Sequence, residues 1–256
     1  MMANDLHNKV VLITGGGKGI GKGIALAFAN LGARIAIGCN TNLKMSQETL
    51  ALLRQETEAI LIPADIADPA QCSTLVQETT LAFGALDVLV CNAAIQTQHS
   101  LIESNLDTLN YVLRVNLRSA FQLMREAQPW LARSGTGRII LISSVHGKRA
   151  TDFDAAYAIS KGGLEMLCRE AAIAYAHDGI TVNIIAPGGT KIEGKTGNPK
   201  SFSTRLAPNR RMVSRYPLGR AGLPSDAAAV ACFLAGTGAE HITGTTIRVD
   251  GGCVLL

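Results

Sequence analysis

Aromatic side chains make up only 4% of this chain, charged ones only 17%, and the net charge is a modest +4. Nucleic-acid binders carry a denser basic stripe or stacking aromatics, so no nucleic-acid partner is expected. No apolar run approaches the ~20 residues that span a bilayer, and the first nine residues, Met1 to Lys9, lack the apolar stretch of a secretion signal. The expectation is a protein of the cytoplasm without membrane contact. Six cysteines are scattered with no Cys-x-x-Cys pair, which argues against a zinc site or a disulfide framework, so no metal is expected. Cys253-Val254-Leu255-Leu256 has the form of a prenylation tail. Without a polybasic run beside it, it is read as an apolar tail packing on protein.

What is present is rhythm. Short apolar runs at Val10–Thr14, Arg34–Gly38, Ala59–Ala64, Leu86–Cys91, Arg138–Ser143, Thr181–Ala186 and Thr246–Val249 read as strands. Between them, helical periodicity covers Ile20–Leu31, Leu43–Thr57, Pro69–Phe83, Leu106–Arg133, Asp154–His177 and Pro224–Ala235. Continuous rather than alternating apolar strands suit a parallel sheet covered on both faces. Right-handed crossovers then give a doubly wound, Rossmann-like α/β fold of three layers, α/β/α. No repeat or linker divides the 256 residues, so residues 1–256 are expected to form a single dinucleotide-binding and catalytic domain. Only residues 188–216, polar and unperiodic, break the pattern, and they are expected to form a substrate lid.

The first strand runs into Thr14-Gly15-Gly16-Gly17-Lys18-Gly19-Ile20-Gly21 and then a helix. Glycines permit the tight turn and let backbone approach a pyrophosphate, which the helix N-terminus attracts. At the end of the second strand, a carboxylate would hold the ribose 2′-hydroxyl of NAD. Gly38-Cys39-Asn40-Thr41-Asn42 has none. Hydrogen-bond donors there, with Lys18 in the turn, favour a 2′-phosphate, hence NADP(H) over NAD(H).

Tyr157 and Lys161 stand four residues apart on one helical pattern and share its face. A free phenol, with a pKa of about 10, is a poor base at neutrality. An ammonium ~5 Å away at an effective dielectric of ~20 is worth about 3 kcal/mol, roughly two pKa units in favour of the phenolate. Ser144 closes the fifth strand, at the carboxyl edge where open parallel sheets bind ligands.

Thr14-Gly15-x-x-x-Gly19-x-Gly21, Asp65, Asn92-Ala93, Asn116, Ser144, Tyr157-x-x-x-Lys161 and Pro187-Gly188 occur in an order and spacing that resembles the short-chain dehydrogenase/reductase family, across nearly the whole chain. The resemblance implies reversible alcohol–carbonyl interconversion by hydride transfer. Ser144 would polarise the substrate oxygen, Tyr157 would transfer the proton, Lys161 would also bind the nicotinamide ribose, and Asn116 would hold a relay water. The implied cofactor set is Gly15, Gly17, Lys18, Gly19, Ile20 and Gly21 in the turn, then Cys39, Asn40 and Thr41. It continues with Asp65 and Ile66, then Asn92, Ala93 and Ala94, then Tyr157 and Lys161, and ends with Pro187, Gly188 and Thr190. Ser144, His146 and Tyr157 are the substrate candidates, with Arg149 near them. Two features depart from the family pattern. Ala94 stands where glycine is usual, and Thr190 follows Pro-Gly more closely than the threonine that usually holds the carboxamide.

From Gly189 to Tyr216, seven basic residues (Lys191, Lys195, Lys200, Arg205, Arg210, Arg211, Arg215) face one acid, Glu193, a formal +6. This excess would attract an anionic substrate or answer the cofactor's own phosphates. Candidate substrates are 3-oxoacyl thioesters and sugars, polyols or sugar acids. The rival readings are an epimerase or dehydratase of the same superfamily and a catalytically idle NADP-binding sensor. The glycine spacing argues against the first and the intact Ser144, Asn116, Tyr157 and Lys161 against the second. A homo-oligomer, tetramer or dimer, is implied by the resemblance.

Overall fold

The computed structural model describes residues 5–192 and 215–256. Seven strands form one parallel sheet in the order β3-β2-β1-β4-β5-β6-β7. They are β1 (Val10–Thr14), β2 (Arg34–Cys39), β3 (Ala59–Pro63), β4 (Val88–Cys91), β5 (Arg138–Ile142), β6 (Thr181–Pro187) and β7 (Thr246–Val249). The helices are α1 (Gly19–Ala29), α2 (Leu43–Leu53), α3 (Pro69–Phe83), α4 (Leu106–Leu113), α5 (Ser119–Ser134), α6 (Ala155–Ala174) and α7 (Pro224–Ala235).

The apolar strands bury both faces, and their alternation divides two cores. Val10 and Leu12, Ile139 and Leu141, and Val182 and Ile184 join Leu75 of α3, Leu123 of α5 and Leu164 of α6 on one side. Val11 and Ile13, Ile140 and Ile142, and Ile185 meet Ile24 and Phe28 of α1 and Ala228 and Ala231 of α7 on the other. Each fully buried Val, Leu, Ile or Phe side chain stabilises the fold by about 1.5–3 kcal/mol, which is why helices cover both faces. The expected three-layer, doubly wound fold is present. Winding reverses between β1 and β4, so the strands' carboxyl ends open a crevice there.

Several expected ends shift. β2 runs on to Cys39 and β6 to Pro187, whereas β4 starts at Val88 and β5 stops at Ile142. α2 stops at Leu53 rather than Thr57, where Arg54 Nε donates to the Ala59 carbonyl at 3.1 Å and turns the chain into β3. The larger correction is the continuous helix expected over Leu106–Arg133. A π-helical turn, Arg114–Arg118, separates α4 from α5, with the Ser119 N–H donating to the Arg114 carbonyl. A π turn keeps the axis running while adding a residue, so an apolar periodicity conceals it. Of the expected lid, residues 193–214 lie outside the described residues, including Glu193, Lys195, Lys200, Arg205, Arg210 and Arg211.

Candidate active site

The carboxyl ends of β1, β4, β5 and β6 gather the candidate residues. In the turn after β1, Gly15 and Gly19 take positive φ (65° and 56°), conformations open to glycine. A Cβ on Gly21 would collide with the Gly15 carbonyl, and one on Gly17 with the Ser46 hydroxyl, so turn, α1 and α2 pack at backbone distance. The N-cap of α1, Lys18, is extended and its side chain makes no capping bond. The helix N-terminus therefore keeps unsatisfied N–H groups and partial positive charge. Asn92, after β4, ties this turn to the sheet: its Nδ2 donates to the Thr14 and Gly15 carbonyls at 2.9 and 3.2 Å. The Ala93 N–H donates to Thr14 Oγ1 at 3.1 Å. Ala94 is exposed, so its methyl group finds room.

After β2, Asn40 and Thr41 are exposed and Cys39 is buried, its thiol held between the Thr41 carbonyl (2.6 Å) and the Ser46 hydroxyl (2.9 Å). Asp65 accepts from the Ala67 N–H at 2.9 Å, and Ile66 beside it is buried. Pro187 ends β6 opposite Val249. Gly188 packs on Asp250, where a Cβ would meet its Cα at 2.9 Å. Thr190 Oγ1 donates to the Gly188 carbonyl at 3.1 Å and its backbone bridges to Gly222.

The chemical centre lies where β5 meets α6. Lys161 is buried, and its ammonium donates to the Ile142 carbonyl at 2.7 Å while lying 5.5 Å from the Tyr157 ring centroid. One N–H is satisfied in this way and the others are open to further acceptors. Ser144 is buried after β5 and accepts from the His146 N–H at 3.2 Å, so it does cap the short turn that follows. Its hydroxyl also acts on the Tyr157 phenol, as does the side chain of Gln96. Asn116 sits in the π turn. Its Oδ1 accepts from Ile95 N–H (2.9 Å), and its Nδ2 donates to the Ile95 carbonyl and to Ser160 Oγ (both 3.0 Å). Both amide protons are thus engaged, which leaves Oδ1 as the side-chain atom with a lone pair for a water. His146 turns elsewhere, with Nδ1 3.2 Å from the Arg149 carbonyl and its ring edge-on to Phe153 at 5.7 Å. Arg149 donates to the Cys253 carbonyl at 3.2 Å.

The electrostatics correct one expectation. Burial, the largest influence, raises the Tyr157 phenol above its ordinary range. Hydrogen bonds from Ser144 and Gln96 oppose it, and the Asp154 charge adds to it. Lys161 is not among these influences: its ammonium, 5.5 Å from the ring centroid and hydrogen-bonded to the Ile142 carbonyl, has lost its charge by the pH at which the raised phenol ionises. Burial also brings Lys161 down to about 8. In the chain alone, desolvation sets the phenol's direction, opposed by the two hydrogen bonds.

Two residues of the site carry no role in the sequence reading. Asp154 is a legible N-cap, an aspartate just before a helical pattern, and the structure buries it completely. Gln96 gave no signal, since a lone glutamine in a loop has no spacing to betray it.

A family model described as enoyl-(acyl carrier protein) reductase matches residues 15–254. A 2,5-dichloro-2,5-cyclohexadiene-1,4-diol dehydrogenase of Sphingobium indicum, LinX, is 34% identical over 252 residues, covering 98% of each chain. The chain belongs to the short-chain dehydrogenase/reductase family. Solved members share the fold of this dehydrogenase/reductase closely. A short-chain dehydrogenase from Burkholderia cenocepacia in complex with NADP is 34% identical with a TM-score of 0.87, covering 98% of this chain and 100% of that one. Acetoin dehydrogenase YohF from Salmonella typhimurium is 27% identical with a TM-score of 0.88, over 97% and 96% of the two chains. As an oxidoreductase of this family the chain has, among its described residues, no group of side chains that could hold a metal and no helix long and apolar enough to cross a membrane.

Proposed function

We propose that this short-chain dehydrogenase/reductase interconverts an alcohol and a carbonyl with NADP(H), favoured over NAD(H), using Tyr157 as acid/base. The observation that carries the reading is the buried Lys161 ammonium, 5.5 Å from the Tyr157 ring centroid, at the strand end that also presents Ser144. A dinucleotide fits the residues present. The uncapped α1 N-terminus and the close-packed glycine turn suit a pyrophosphate, Lys161 keeps N–H donors for ribose hydroxyls, and Asp65 suits the adenine. The end of β2 offers no carboxylate to a 2′-hydroxyl, and Lys18 stands exposed beside it. The NADP bound to the Burkholderia relative agrees with this preference. Gly17, Gly19, Ile20 and Gly21, with Cys39, Asn40, Thr41, Ile66, Asn92, Ala93, Ala94, Pro187, Gly188 and Thr190, complete the proposed cradle.

A bound dinucleotide would supply or accept the hydride and, when oxidised, would carry a positive charge. The chain's own groups handle the oxygen. Ser144 donates a hydrogen bond to it and localises its developing charge. Tyr157 gives it a proton in reduction and takes one in oxidation. Lys161 holds the ribose, and Asn116 braces the π turn against Ile95 and α6. A small-molecule carbonyl or alcohol is the proposed substrate. The cyclic diol and acetoin of the relatives' names favour the hydroxylated candidates over acyl thioesters. One domain with a covering segment around residues 188–216, working in the cytoplasm as a homo-oligomer, is the proposed setting. Exposed Leu106, Tyr111, Phe121, Ile159, Met166 and Ile173 on α4, α5 and α6 support the oligomer.

Tyr157→Phe tests the proposal. Turnover should fall by about 100- to 10,000-fold, while NADPH fluorescence titration gives an unchanged affinity. Retained turnover in this variant would remove Tyr157 from the reaction.

A further inference from the structure

Residues 95–99 cross the site between two buried clamps. On one side both backbone polar groups of Ile95 bond to the Asn116 side chain. On the other, the wholly buried Asp154 carboxylate accepts from the Thr97 N–H (2.9 Å), the Thr97 hydroxyl (3.1 Å) and the Gln98 N–H (3.1 Å). The same carboxylate caps α6 by accepting from the Tyr157 N–H at 3.3 Å. The Ala155 N–H adds a bond to the His99 carbonyl at 3.1 Å. Gln98 is held at φ 56°, a left-handed conformation that a non-glycine residue keeps only when its surroundings impose it. Gln96 lies between the clamps. Its backbone is fixed from both sides, its side chain is exposed, and its carboxamide bears on the Tyr157 hydroxyl.

We propose that Gln96 is a substrate-recognition residue, positioned by the Asp154 clamp, and that the site favours substrates bearing a second oxygen on the carbon next to the reacting one. These are α-hydroxy ketones in reduction and vicinal diols in oxidation. The inference rests on Tyr157 being the acid/base. A reacting oxygen bonded to Tyr157 and Ser144 sits about one hydrogen-bond length from the phenol, ~2.7 Å. Gln96 reaches the same phenol from another element, so the space next to the reacting oxygen is bordered by its carboxamide. An oxygen on the neighbouring carbon falls there. A carboxamide both donates and accepts, so it serves a hydroxyl or a carbonyl equally. A substrate lacking that oxygen would leave the amide against a methylene, unpaired, which is how polar sites reject apolar analogues. Asp154 touches neither substrate nor phenol in this scheme. Its charge raises the phenol for both members of a substrate pair alike, and it acts on their discrimination through the turn it holds.

The test uses matched pairs, butanone and cyclohexanone each against its α-hydroxy derivative, reduced by the full-length protein with NADPH. Wild type should favour the hydroxylated member of each pair in kcat/KM. Gln96→Leu should lower turnover of both members of a pair through the lost bond to the phenol, and should lose about 10- to 100-fold more on the hydroxylated members, which abolishes the wild-type preference. Asp154→Asn, which keeps a capping oxygen but not both acceptors, should lose the same discrimination. A purely structural role for Asp154 would lower both members of a pair alike. Should Asp154→Asn fail to fold, Thr97→Val removes one clamp bond and should move discrimination the same way. Equal losses on both members in Gln96→Leu would mean that the glutamine serves the phenol alone and would overturn the proposal. So would no change, or a wild type that prefers the simple ketones. Activity surviving in Tyr157→Phe is a separate outcome and strikes the acid/base reading instead.

Discussion

Lys161 shows how a single burial decides chemistry. The side chain is 2% exposed and its ammonium is held to about 8, so it changes charge inside the working pH range. Below that pH it is a charged donor aimed at the proposed ribose position, and above it a neutral amine. NADP(H) affinity should therefore weaken as pH rises through about 8, whereas Lys161→Met should bind weakly at every pH with no inflection. Fluorescence titration across pH 6.5 to 9.5, about a unit and a half either side, would show this. A flat wild-type curve would deny the lysine that role. Lys18 supports a second prediction at this scale. Lys18→Ala should raise KM for NADPH by about tenfold, the worth of one charge-assisted bond, and leave NADH unchanged. Sequence alone assembled Ser144, Tyr157 and Lys161, because spacing on one helix and position at a strand end are readable. It misjudged their electrostatics. A pairwise charge argument holds the dielectric fixed, and desolvation of the phenol depends on everything packed around it.

Strands were legible because continuous Val, Ile and Leu runs leave few alternatives in a chain with this many glycine turns. Their ends were not, since Pro187 pairs with Val249 far along the chain, and the end of α2 was missed because Arg54 turns onto the Ala59 carbonyl, a side-chain bond that no apolar pattern encodes. The π turn was illegible for a related reason. Leu106 to Ser134 carries a helical stripe throughout, and only Asn116, bonded to Ile95 and Ser160, shows why the register must slip there. Asn116→Leu, similar in volume, would strip three hydrogen bonds and leave the Ile95 backbone groups unpaired. Stability should fall by about 2 kcal/mol and Tm by several degrees, read by calorimetry. An unchanged Tm would show the brace to be dispensable.

At the scale of the molecule, the thiols set an alkaline limit. Burial pushes Cys72 up to about 11 and Cys168 and Cys232 up to about 12, and raises Cys91 further. Raised in the folded state, each contributes stability that is full below the ordinary thiol pKa and is lost as pH climbs beyond it. Lys161, lowered, acts in the opposite sense between about 8 and its unfolded value, but one lysine faces four thiols. Tm should therefore decline from pH ~9 to ~11, and Cys232→Ala should flatten the decline in thermal melts. A Tm that holds constant over that range would contradict it. Residues 188–216 stand out in the sequence as a departure from rhythm, and 193–214 of them lie outside the described residues, so the covering role stays a proposal.

The Ile142 carbonyl at the end of β5 receives the Lys161 ammonium, and the next residue but one is Ser144. A displacement of that strand end carries the lysine and serine together, so the distance between them survives drift elsewhere in the chain. The Gln96 side chain, exposed on a turn that is held through its backbone, takes no part in that coupling. Descendants of this protein, natural or selected in the laboratory, can therefore exchange the molecules they accept by changing such exposed side chains while the proton-handling frame passes down intact.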